Sequence, residues 1–172
     1  MTTLVTVKYA GARSVADWGA GPRVCAVGRS GIGIKHAEGD RVTPAGLWPL
    51  RRVFYRPDRL ARPECALPVA PIGRDDGWCD APDDPHYNEL VRLPYAAHAE
   101  AMWHDDALYD LVVAIGFNDA PAVAGKGSAI FFHVAAPDYR ATAGCVALAR
   151  ADLAEMVFAL RVWAQVRIVA PE

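Results

Sequence analysis

Short runs of apolar and β-branched residues, bounded by Gly, Pro and Asp, recur along the chain, which is the punctuation of a β-rich domain. The pattern predicts strands at Leu4 to Tyr9, Val24 to Gly28, Leu90 to Leu93, Leu108 to Ile115, Ser128 to Val134 and Val166 to Val169. A different period appears late. Leu153, Met156, Val157 and Leu160 fall at i, i+3, i+4 and i+7, one apolar stripe of a helix, and Asp152 followed by Glu155 has the look of a capping box. Between Tyr55 and Tyr95 the periodicity fades into a segment dense in Pro, Asp and aromatic residues. A connection that long inside a compact domain is functional or disordered. Trp78, Tyr87 and Tyr95 favour order, and Trp48, Trp103 and Trp163 are expected to serve packing. The chain holds no internal repeat.

With 172 residues the chain fits a single domain, and its 53% hydrophobic and 22% charged composition is that of a globular protein able to bury a core. A net charge of −2 offers no broad cationic surface to nucleic acid. Three of the 18 basic residues are lysines, Lys8, Lys35 and Lys126, leaving 15 arginines, the better fork for carboxylates. No run reaches the length of a membrane span, and Met1 to Ala20 lacks the basic-then-apolar order of a secretory signal. Cys25, Cys65, Cys79 and Cys145 show neither CxxC spacing nor a nearby histidine pair, so no zinc or other metal site is expected. A Cys65 to Cys79 disulfide remains an option.

The segment from Ser128 to Leu148 carries the candidate chemistry. His133 ends a hydrophobic strand and, past a polar loop, Cys145 follows Gly144. A thiol becomes a strong nucleophile as thiolate, and an adjacent imidazole commonly lowers its pKa. Gly144 lets the backbone approach a substrate carbonyl, so the amides of residues 143–145 are candidates for an oxyanion hole. Thr142 is a candidate third member that holds the imidazole. The plainer alternative is a buried structural cysteine beside a surface histidine.

His133, followed by Thr142, Ala143, Gly144, Cys145 and Val146, resembles the hallmark of YkuD-type L,D-transpeptidases: a histidine, a loop, then Ser or Thr, any residue, Gly, Cys and an apolar residue. Upstream, Thr43, Pro44, Ala45 and Gly46 resemble that family's Thr-Pro-x-Gly turn. The resemblance spans about Leu4 to Val169. The loop after His133 is shorter than in typical members. Ala143 and Ala147 replace the usual histidine and the usual Arg or Asn, as in a divergent branch similar to the compact proteobacterial members.

The resemblance implies a mainly β, YkuD-like sandwich or barrel-like catalytic domain with one or two helices and a long ordered loop, occupying residues 1–172. It implies a cysteine acyltransferase without cofactor: Cys145 attacks the carbonyl after the L-centre of diaminopimelate in a donor tetrapeptide, D-alanine leaves, and an acceptor amine resolves the thioester, with His133 as base. Peptidoglycan stem peptides, donor and acceptor, are then the expected partners of a monomer, and the periplasm the expected location, with the cytoplasm left open by the missing signal. Arg29, Lys35, Tyr87, Asn88 and Tyr109 are candidates for substrate binding, with Glu38 and Asp40 beside them. Asp110, odd in apolar company, reads as a network or turn-capping carboxylate. Hydrolysis by a peptidase or amidase, a non-catalytic wall-binding module and a redox thiol protein are the competing functions.

Overall fold

The computed structural model describes residues 2–172. Fourteen strands and one helix follow in order: β1 Leu4–Ala10, β2 Arg13–Asp17, β3 Arg23–Ala26, β4 Ile32–Gly33, β5 Thr43–Pro44, β6 Gly46–Tyr55, β7 Val69–Pro71, β8 Asp76–Cys79, β9 Leu90–Arg92, β10 Ala99–Ala101, β11 Leu111–Ile115, β12 Phe131–Val134, β13 Val146–Leu148, α1 Arg150–Ala159 and β14 Gln165–Ile168. Eight strands close into a mixed barrel in the order β11, β12, β13, β3, β2, β1, β14, β6, sealed by antiparallel pairing of β6 with β11. The pairs β1–β14 and β12–β13 are parallel. The first half of β6 pairs with β14, and where β14 ends β7 takes over its flank at Val53 to Tyr55. Strands β10, β8 and β9 form a separate small sheet.

Two cores explain the run of apolar residues in β11, which does not alternate with polar ones. Leu111, Val113 and Ile115 face the main core, and Val112 and Ala114 face a second one beside Phe54, Ile72, Met102 and Tyr109. A strand covered on both faces reads as continuous apolar sequence. The same period of two sends Phe132 and Val134 into the main core and Phe131 to the other side.

The long segment from Tyr55 to Tyr95 is ordered, as its aromatic residues suggest, and holds β7, β8 and β9. Its Trp78 packs edge-on against Phe131 with ring centroids 5.0 Å apart. The strand expected at Leu108 begins at Leu111. Asp110, 2% exposed, instead receives Arg59 at 2.7 Å and Arg150 at 3.7 Å as a network carboxylate. The strand expected from Ser128 begins at Phe131, because Ala129 takes φ +53 and leaves the ladder.

Three expectations are corrected. Ala149 caps α1 without a side-chain bond, so the capping box is absent; Asp152 reaches Arg23 at 3.3 Å instead. Trp163 does not pack but is 81% exposed, whereas Trp48 meets Phe117 edge-on at 5.1 Å and Trp103 lies under the Arg56 guanidinium at 3.7 Å. Cys65 and Cys79 are free thiols, not a disulfide, as are Cys25 and Cys145. No helix among the described residues is long and apolar enough to cross a membrane.

The helix docks through Leu153, Met156 and Val157, all buried, and leaves Phe158 exposed. Leu153→Ala is expected to cost about 2–5 kcal/mol, the range for a buried leucine. Thermal melts should register about 2–4 °C per kcal/mol. Phe158→Ala should stay within about 0.5 kcal/mol. Equal losses from the two variants would contradict this docking face.

Candidate active site

His133 and Cys145 meet because of strand register. In the parallel pair β12–β13, His133 lies opposite Ala147, so Cys145, two residues earlier, sits diagonally across on the same face. Both residues line one cavity of about 680 Å³, together with Tyr109, Glu100, Ser128 and Lys35. A separate cleft of about 490 Å³ holds Cys25 with Ser14 and Tyr139 but no imidazole.

The turn that presents the thiol is stitched from three distant segments. Thr142 forms a bridge with Gly28, its N–H bonded to Val27 O at 3.0 Å and its carbonyl to the Arg29 N–H at 2.9 Å. The buried Thr43 hydroxyl accepts from the Gly28 N–H and donates to the Gly144 carbonyl, each at 2.8 Å. Gly144 stands at φ +141, and a Cβ there would lie 3.0 Å from Val42 O; at Gly28 a Cβ would lie 2.2 Å from Arg41 O. Only glycine permits these approaches.

Thr142 does not hold the imidazole. Its hydroxyl donates to Cys145 O at 2.6 Å and accepts from the Gly144 N–H at 3.1 Å, closing the turn on itself. The imidazole is oriented by the backbone instead: His133 Nδ1 lies 2.9 Å from Val134 O. A carbonyl only accepts, so Nδ1 carries the proton and Nε2 is left as the proton acceptor. Burial lowers the His133 pKa, so the ring is neutral near pH 7. Because the Gly144 amide is engaged, the amides left for an oxyanion are those of Ala143 and Cys145.

The thiol is held in its protonated form. Cys145 Sγ donates to Ala129 O at 3.2 Å and accepts from the Phe131 N–H at 3.4 Å. Burial pushes its pKa up to about 12, with the Phe131 bond pulling weakly the other way. The lowering expected from an imidazole neighbour is absent.

The residues proposed for substrate binding divide sharply. Tyr109 lines the cavity with its ring 4.0 Å from His104, stacked, and 5.5 Å from His133, and its hydroxyl donates to Glu100 Oε1 at 2.5 Å. Burial raises its pKa far above the usual phenol range, so it serves as a donor. Lys35 also lines the cavity, but its ammonium is spent on Asp40 at 2.6 Å. Burial would raise the Asp40 carboxyl, yet Lys35 and the Val42, His36 and Ala37 N–H groups outweigh it and hold the pKa at about 2. Arg29 is exposed and does not line the cavity.

Tyr87 and Asn88 are buried scaffolding. The Tyr87 hydroxyl donates to Glu38 and accepts from the Gly127 N–H at 2.9 Å. Asn88 Oδ1 accepts from Trp78 Nε1 at 2.9 Å and from the Ala129 N–H at 3.0 Å; its Nδ2 donates to Phe117 O and Asn118 O. Asn88 thereby positions Ala129, whose carbonyl receives the thiol. Glu100, Ser128, Asp80 and His98 were not singled out from the sequence, yet all four line the cavity. Glu100 lies between two alanines in a three-residue strand, and no pattern marked it.

The model of the YkuD family, L,D-transpeptidase catalytic domain, matches residues 2–168. No curated protein and no solved structure matches the chain.

Two outcomes follow from this geometry. Thr43→Val leaves the Gly28 N–H and Gly144 carbonyl unpaired, which should cost about 1–3 kcal/mol for each group in denaturant unfolding, while Thr43→Ser should recover most of it. Iodoacetamide alkylation of Cys145 in the resting protein should keep rising roughly tenfold per pH unit beyond pH 9, because burial holds the thiol neutral until about pH 12. A plateau below pH 8 would show a preformed thiolate.

Proposed function

Since the chain belongs to the YkuD family of L,D-transpeptidase catalytic domains, we propose that it cross-links peptidoglycan stem peptides through a thioester on Cys145. The observation that carries this reading is the placement of Cys145 and His133 on one face of the β12–β13 pair, at the wall of a shared cavity.

In the first step Sγ bonds to the carbonyl carbon that follows the L-centre of diaminopimelate in a donor tetrapeptide. The thiol proton passes to His133 Nε2, free because Nδ1 is committed to Val134 O. Negative charge on the carbonyl oxygen falls to the Ala143 and Cys145 N–H groups. The C–N bond breaks, the proton moves from Nε2 to the departing amine, and D-alanine leaves. In the second step an acceptor amine adds to the thioester and gives its proton to Nε2. The C–S bond breaks, and Sγ takes the proton back. A neutral imidazole facing a neutral thiol suits this sequence, since neither buried group is charged until substrate arrives.

The short loop after His133 and the alanines at 143 and 147 support a divergent, compact branch of the family. The substrate of this chemistry lies outside the cytoplasmic membrane, which supports a periplasmic site of action.

Purified protein incubated with disaccharide-tetrapeptide should release D-alanine and form dimers. Cys145→Ala should abolish both while melting like the parent. His133→Gln should slow thioester formation by about 10²–10⁴-fold, the worth of a positioned proton acceptor. Dimer formation by Cys145→Ala at the parental rate would refute the assignment, and a disaccharide-tripeptide product without dimers would mark a hydrolase.

A further inference from the structure

The last turn of α1 and the connection to β14 hold three large apolar side chains out to solvent. Phe158 is 63% exposed, Val162 54% and Trp163 81%. The backbone at Trp163 is strained as well. The Ala164 N–H bonds to Arg161 O at 3.0 Å and closes a four-residue turn, whose third place Trp163 takes at φ +68. Gly or Asn normally fills that place, and a bulky residue there is an outlier of the kind that marks functional sites. The chain thus sets its most exposed tryptophan where folding alone favours glycine.

The segment from Leu60 to Pro68 runs alongside and widens this ledge. Leu60, Ala61 and Pro63 share a groove of about 300 Å³ with Phe158, and Ala66, Leu67 and Pro68 share one of about 500 Å³ with Val162 and Trp163.

A second observation is the charge. Over residues 60–68 and 158–169 three arginines, Arg62, Arg161 and Arg167, stand against one carboxylate, Glu64, so these segments carry +2 in a chain whose net charge is −2. All four side chains are exposed. Arg62 donates to Val69 O at 3.0 Å, and Arg161 to Phe158 O, Ala159 O and Leu160 O at 3.3 Å each. Carbonyls leave a positive charge in place. Arg51 and Arg59 are answered by Asp119 and Asp110, but among the described residues no carboxylate pairs with Arg62, Arg161 or Arg167.

We propose that this ledge seats the protein on an anionic lipid surface, with Phe158, Val162 and Trp163 entering the headgroup boundary and the three arginines meeting lipid phosphates. Aromatic and aliphatic side chains flanked by arginine are the composition that boundary takes. A second copy of this chain would set two ledges of like charge against each other. A neutral glycan would leave the arginines unanswered. None of these residues lines the cavity that holds Cys145, so the ledge is a separate surface.

The test sediments the full chain with vesicles of phosphatidylcholine, with and without phosphatidylglycerol. The parent should bind the mixed vesicles, more weakly as salt rises, and ignore phosphatidylcholine alone. Trp163→Gly should melt at or above the parental temperature, because glycine relieves the turn, and yet bind about 10–100-fold more weakly, the worth of burying one large apolar side chain. Arg62→Gln should weaken binding about 5-fold. Val123→Ala removes an equally exposed valine away from the ledge and should bind like the parent. If Trp163→Gly does not fold, the pair Phe158→Ala with Val162→Ser decides in its place. Parental affinity in either of these ledge variants overturns the proposal, as does a parent that ignores phosphatidylglycerol at low salt. Trp163-dependent retention on purified peptidoglycan without vesicle binding would mark a glycan platform, and a dimer dispersed by Trp163→Gly without vesicle binding would mark a subunit contact; either overturns it too.

Discussion

A three-strand wall, β11, β12 and β13, is buried on both faces, and that double burial governs everything built on it. Leu111, Val113, Phe132, Val134, Val146 and Leu148 fill one core, while Val112, Ala114, Phe131 and Cys145 belong to the other. Because side chains alternate strictly, the placing of Phe132 and Val146 in the main core commits His133 and Cys145 to the opposite side. A slip of one residue would sink the imidazole in the main core and turn a valine toward the cavity. The chemistry is therefore as secure as the register, and the register is enforced by apolar side chains that never touch a ligand.

The same burial sets the electrical state of the pair. Desolvation disfavours the charged form of each group, raising the thiol and lowering the imidazole, so the two are driven apart in pKa and both rest neutral. Backbone carbonyls do the holding: Ala129 O for the thiol and Val134 O for the ring. Asn88 fixes the first of these by accepting the Ala129 N–H, which makes an amide in the long segment a second support beneath the Cys145 thiol.

The sequence displayed the parts of this design that depend on local pattern. The strand at Leu4, the helix stripe from Leu153 to Leu160 and the order of the Tyr55 to Tyr95 segment all appear in the structure, as does the barrel-like β architecture. What escaped depends on partners far away in the chain. The ten-residue β6 begins with Gly and includes Pro49, and its strand character comes from pairing with β14 and β11 rather than from its own composition. Thr142 looked like a brace for the imidazole because nothing local reveals that Val134 O already occupies Nδ1. Asn88 and Tyr87 looked available because polar residues in a Pro-rich segment usually are; their burial comes from the strand-flanking turns at Phe117 and Gly127. Lys35 looked like a ligand for carboxylates, and Asp40, five residues on, removed it.

The stitch at Thr43 has a kinetic consequence. Its hydroxyl, which also receives the Gly28 N–H, reaches the Gly144 carbonyl across a separation of 101 residues in the chain, so the turn carrying Cys145 takes shape only after the first quarter of the protein has met the last. Contacts so distant in sequence form late and slowly. Until then Cys145 is an ordinary solvated thiol, ionising near the free value and open to any passing electrophile or disulfide. Completion of the barrel quenches it. Folding in this protein therefore works as a safety catch: it withdraws the thiol from solvent and holds it neutral in the wall of the finished cavity.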